Sequence, residues 1–159
     1  MRRVPPQSLT WRVDVEPYPA IRRMNGAEVR VLREALGLSP KWVAARLGLA
    51  SDRHLRAVEA GEAPASVRMV ALLHELEARA EAEVEEALAT VFEEAGVDEY
   101  DEDALEQLAE ADWPTIEVPR LDLDGDEFPA GWYRAIAARV RWELGARCWV
   151  EYLRADDEE

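Results

Sequence analysis

The chain has 159 residues, of which 48% are hydrophobic and six are tryptophan, so it can build one compact domain or two small ones and is not disordered as a whole. Its formal charge of −15 is uneven: residues 22–78 carry nine Lys or Arg against seven acids, whereas residues 79–159 carry seven Arg against 25 acids. A phosphate-binding surface is therefore expected only in the first half, and the acidic half must face away from any duplex. With no run of 18 apolar residues, no signal-peptide pattern and one cysteine, Cys148, the expectation is a cytoplasmic protein with no membrane partner and no internal disulfide.

In chain order, residues 1–23 read as an extension in which Leu9, Trp11, Val13 and Val15 alternate with polar residues, a strand pattern. Asn25 is placed to cap a helix over 26–36 that turns Val29, Leu32 and Leu36 inward. Two short helices follow, each opened by a serine, Ser39 or Ser51, and separated by Gly48. Pro40 suits the first helical turn, where its missing N–H is no loss. Val43, Ala44 and Leu47 share one face of the first helix, and Leu55 and Val58 share one face of the second. Arg53, Arg56 and Ala57 then point outward. Such a helix-turn-helix can lay its second helix in a DNA major groove, with Arg53 and Arg56 contacting guanine O6 and N7 and Asp52 and Ala57 beside them. Ser39, Lys41 and Ser51 are the expected phosphate contacts. The alternative is a structural hairpin whose arginines are solvated.

These residues resemble the Cro/repressor-type (XRE-like) helix-turn-helix proteins. The likeness is carried by Leu32-Arg33, Leu36-Gly37-Leu38-Ser39, Ala44, Leu47-Gly48, Ser51, Leu55, Val58-Glu59-Ala60-Gly61 and Pro64. The turn from Gly48 to Ser51 is one residue longer than the commonest form of that pattern. This is similar to the branch containing the anti-CRISPR-associated autorepressors, which implies a phage or bacterial regulator with a second, dimerising domain after the DNA-binding one. One departure is Pro40, which stands where the wider family has a glutamine supporting a phosphate contact.

Beyond the motif, Ser66 caps a long helix running to about residue 95, whose stripe includes Leu73, Leu76, Ala80, Val84, Ala87 and Val91. Its second half needs a covering partner, either another subunit or the C-terminal segment. An acidic cluster precedes a short helix containing Ala104, Leu105, Leu108 and Ala111. Residues 115–121 alternate as a strand limited by Pro119, a helix follows Pro129 with the stripe Trp132, Ile136, Val140 and Leu144, and residues 148–153 read as a last strand.

The expected fold class is mainly α: an N-terminal helix-turn-helix bundle followed by a small α+β C-terminal domain. Its divisions are a 1–23 extension, a 24–78 DNA-binding domain, 79–112 acidic connecting helices and a 113–159 dimerisation domain. The aromatic content of the last segment points to a homodimer interface at Trp132, Tyr133, Ile136, Val140, Trp149 and Tyr152.

Catalytic and metal patterns fail on their spacing. His74-Glu75-Leu76-Glu77-Ala78 lacks the second histidine of a zinc helix, and the loop starting at Asp122 has Glu127 where a calcium loop needs glycine and Tyr133 where it needs a bidentate glutamate. No enzyme activity, metal or cofactor is expected. The expected function is a dimeric, sequence-specific transcriptional regulator, an autorepressor or repressor of a neighbouring operon, acting on an inverted-repeat operator. The alternative is an antitoxin-type protein whose acidic half binds a protein partner; a further possibility is that this half mimics nucleic acid.

Overall fold

Side-chain caps set where the first helices begin in the computed structural model, which describes residues 23–98 and 102–153. The strand expected around Trp11 lies outside the described residues. α1 (Gly26–Ala35) opens with a reciprocal pair in which Glu28 N–H donates to Asn25 Oδ1 at 2.9 Å and Asn25 N–H donates to Glu28 Oε2 at 2.8 Å. α2 (Pro40–Arg46) starts at Ser39, whose Oγ accepts from Trp42 N–H at 3.1 Å. α3 (Arg53–Glu59) follows residues 47–52, and Ser51 Oγ accepts from Arg53 N–H at 3.4 Å. α4 (Val67–Ala95) is capped by Ser66 and ends at Gly96 in the left-handed region.

The inward faces of these helices meet in one core that includes Val29, Leu36, Val43, Leu55, Val58 and Leu73. α1 packs on α3 and α4, and α2 packs on α3. Across the α1–α3 contact, Arg33 Nε donates to Glu59 Oε1 at 2.6 Å and its terminal nitrogen to Oε2 at 3.1 Å, while its remaining nitrogen donates to the Leu38 carbonyl at 2.8 Å. Both side chains are more than nine-tenths buried. A forked guanidinium fits this site because it answers the carboxylate and the carbonyl together.

The second half is a strand–helix–strand unit. β1 (Thr115–Val118) leads through α6 (Ala130–Glu143) to β2 (Trp149–Tyr152), and the strands pair in parallel, with Thr115 opposite Trp149 and Val118 opposite Tyr152. β1 is shorter than the alternation suggested, because Pro119 has no N–H to continue a ladder, and Leu121 is left exposed. The helix after the acidic cluster is also short: α5 (Glu102–Gln107) gives way to a 3-10 turn at Glu110–Asp112.

α6 lies against α4. Trp132, Ile136 and Val140 are buried together with Ala80 and Val91, so the covering partner of the second half of α4 is a segment of the same chain. The expectation that Trp132, Ile136 and Val140 meet a second subunit is corrected by this packing: the i+4 stripe is the right one, but it is spent on the chain's own helix. Tyr133 is half-buried, and only Trp149 and Tyr152 of the six named residues stay exposed.

One hydrophobic core runs from Val29 to Cys148, through the segments expected to be a DNA-binding and a dimerisation domain. Where they meet, α6 begins directly on the α1–α2 turn. A Cβ on Gly37 would come 1.9 Å from the Gly131 carbonyl oxygen, and one on Gly131 would come 2.2 Å from that of Gly37. Gly37 also has φ +68°, so both positions are closed to larger residues. Beside this contact Phe128 stacks between Trp42 and Trp132, with ring centroids 5.5 and 4.2 Å away. Glu127 binds Arg46 of α2 and, at 3.0 Å, Arg79 of α4.

Candidate nucleic-acid interface

Burial divides α3 sharply. Leu55 and Val58 are fully buried, while Arg53, His54 and Arg56 are exposed and Ala57 is partly exposed. Ser39, Lys41 and Ser51 are exposed on the neighbouring segments. All the residues expected to read bases or touch phosphates therefore lie on α3, at the start of α2, or in the turn joining them.

The cations in this region differ in what holds them. Arg56 Nε donates to Asp52 Oδ2 at 2.8 Å, one helical turn back. Arg53 makes no side-chain hydrogen bond or ion pair among the described residues. Arg46 is tied to Glu127, whose carboxyl is held below its ordinary range, first by the hydrogen bond from Arg46 and then by the nearby charge of Arg79. It is thus less available to a ligand than Arg53. Sequence reading did not single out Arg46 or Arg79, and met Glu127 only as the residue that breaks a calcium-loop pattern, because their contacts join residues far apart in the chain.

A second surface differs in kind. A furrow of about 820 Å³ opens between α1, α4 and α6, lined by apolar residues including Val84 and Leu88, by Glu34, Glu81, Glu85 and Glu143, and by one cation, Arg139. Trp142 stands at its edge, 83% exposed. Trp149 and Tyr152 on β2 are 43% and 56% exposed.

The remaining polar patterns have local uses. Asp122 Oδ1 accepts from Ala130 N–H at 2.7 Å, so the would-be calcium loop caps α6. His74 lies beside Glu77 on α4, and burial pushes the Cys148 thiol above its ordinary value. No group of three or more metal-binding side chains occurs among the described residues, and none of their helices is long and apolar enough to cross a membrane. No family model and no curated protein matches the chain.

Proposed function

We propose that the protein is a sequence-specific DNA-binding regulator of the Cro/repressor type, acting as a dimer to repress its own or a neighbouring operon. The observation that carries this reading is the outer face of α3. Its apolar residues are fully committed to the core, and what is left outside is two arginines, a histidine and a small residue. That combination suits a groove lined by acceptors. Arg53 and Arg56 read bases with Ala57 beside them, and Ser39, Lys41 and Ser51 contact phosphates. The net charge of +2 over residues 22–78 favours a polyanion here, whereas residues 79–159, at −18, repel one. Trp149 and Tyr152, with Trp142, supply the aromatic surface for a second copy.

Selection of bound DNA from a random pool tests the proposal. The expected product is an inverted repeat with half-site centres about 10 bp apart or a multiple of that. Arg53→Ala and Arg56→Ala each lose about 1–3 kcal/mol of specific binding at separate positions, while Lys41→Ala weakens all sequences alike. A pool that enriches no sequence overturns it.

The furrow favours a second reading, in which the acidic half holds a basic protein in the manner of an antitoxin. Its apolar lining and four glutamates, against the single cation Arg139, match an amphipathic basic helix. Co-purification with such a partner at fixed stoichiometry, abolished by Trp142→Ala together with charge reversal of Glu81 and Glu85, would support it; unchanged co-purification would sink it.

A further inference from the structure

We infer that Asp52 is a positioning residue for Arg56, and that it does not itself read a base. This deepens the DNA-binding reading and rests on it.

Aspartate in front of a helix ordinarily caps it, its carboxylate accepting from a free backbone N–H. Asp52 makes no such bond. Its backbone is already near-helical, at φ −80° and ψ 2°, and the residue before it, Ser51, accepts the Arg53 N–H on its Oγ. The Asp52 carboxylate is thereby left to Arg56, whose Nε donates to Oδ2 at 2.8 Å, and the Asp52 carbonyl also accepts the Arg56 backbone N–H at 2.9 Å. The backbone bond is the regular helical one, and the carboxylate is what restrains the Arg56 side chain. The carboxylate is the more sheltered partner, 27% exposed against 64% for the arginine.

The choice of nitrogen matters. A guanidinium has five N–H donors, and bidentate recognition of guanine uses two of them in parallel. Anchoring Nε leaves both terminal nitrogens free and limits the orientations of their plane. An arginine held this way loses less freedom when it meets a base than one that must be ordered on contact. Arg53, with no side-chain partner among the described residues, is the internal comparison.

Asp52 also brings a negative charge to a surface meant for phosphates. That charge opposes every DNA sequence equally, whereas its hold on Arg56 favours only sequences with a guanine in reach. Asp52 should therefore lower non-specific affinity while raising discrimination, a pairing of effects that neither a simple cap nor a phosphate contact produces.

The test is selection and titration with the full chain carrying Asp52→Ala, Arg56→Ala or both. For Asp52→Ala the expected result is roughly a twofold to fivefold fall in the ratio of specific to non-specific affinity, with non-specific binding unchanged or tighter. The lost preference falls at the same base position as in Arg56→Ala, the position read by Arg53 is kept, and adding Asp52→Ala to Arg56→Ala changes no further preference. Asp52→Asn, whose amide oxygen still accepts from Nε, retains part of the discrimination. If Asp52→Ala instead removes a preference that Arg56→Ala keeps, Asp52 reads a base directly and the inference is wrong. It is equally wrong if all sequences weaken together with a lower melting temperature, since that is the behaviour of a cap. A wild-type chain that enriches no site overturns the DNA reading and this inference with it; one that enriches a site kept unchanged by Asp52→Ala overturns this inference alone.

Discussion

On α3 the apolar residues are turned inward, and the outside is cationic or small; on α6 and β2, Trp142, Trp149 and Tyr152 stay outside, and α6 also borders the glutamates of the furrow. Both surfaces are built on the same core, so the difference does not come from separate domains. It comes from which side of each helix was assigned to the interior. A face stripped of apolar area suits a hydrated, highly charged ligand, whose interface is polar and wet. A face that retains aromatics suits a protein surface that can bury them. The uneven charge reinforces the division, since a polyanion attracted to one surface is repelled by the other.

Deleting residues 113–159 is the strongest way to break this comparison. The deletion strips Trp132, Ile136 and Val140 from α4, so the remainder should lose its cooperative thermal transition, read by circular dichroism at 222 nm. A truncated chain that melts as a unit would mean that the two surfaces belong to independent bodies after all.

Next in size is Arg33→Met, which leaves the Glu59 carboxylate buried without its partner. Urea denaturation should report a loss of about 3–5 kcal/mol. A loss below about 1 kcal/mol would place the α1–α3 joint among ordinary surface pairs.

Gly131→Ala sharpens the comparison at the seam between the two halves. Its new Cβ meets backbone rather than a movable side chain, and the expected cost is about 1–3 kcal/mol in the same measurement. An unchanged midpoint would show that α6 can slide on the α1–α2 turn.

The smallest effect belongs to Glu127, which links α2 and α4. Its folded carboxyl lies below the ordinary value, so its contribution is present above the ordinary carboxylate range and fades as pH falls through the folded value. Glu127→Gln should therefore lower the melting temperature at neutral pH, and the gap from the wild type should close on acidification. A gap that widens in acid would reverse the sign assigned to this ion pair.

Local signals made much of this legible. Asn25, Ser39 and Ser66 mark the helix starts because capping depends on residues only three apart, and Gly96 marks the end of α4 because few other residues accept its φ. The stripe Trp132, Ile136, Val140 and Leu144 likewise names the buried face of α6. What periodicity leaves open is the partner of such a stripe: a helix patterned to lie on α4 looks the same whether α4 belongs to its own chain or another. The parallel direction of β1 and β2 was hidden for the same reason, because alternation gives the faces of a strand and not its neighbour. At the candidate interface, the outward setting of Arg53 and Arg56 follows from Leu55 and Val58, and the four-residue spacing of Asp52 and Arg56 was itself a signal for an ion pair. The link from Glu127 to Arg46 spans 81 residues, and no local pattern encodes it.

Because β1 and β2 run parallel, no tight hairpin can bring them together: roughly thirty residues, including all of α6, lie between the end of one and the start of the other. The helices can form from neighbours in sequence, whereas this pairing must wait for a long loop to close. The sheet is thus placed after the locally encoded helices in the order of folding events. Trp149, whose ring lies 5.7 Å from that of Trp113 across the base of the sheet, is a built-in optical clock for that step.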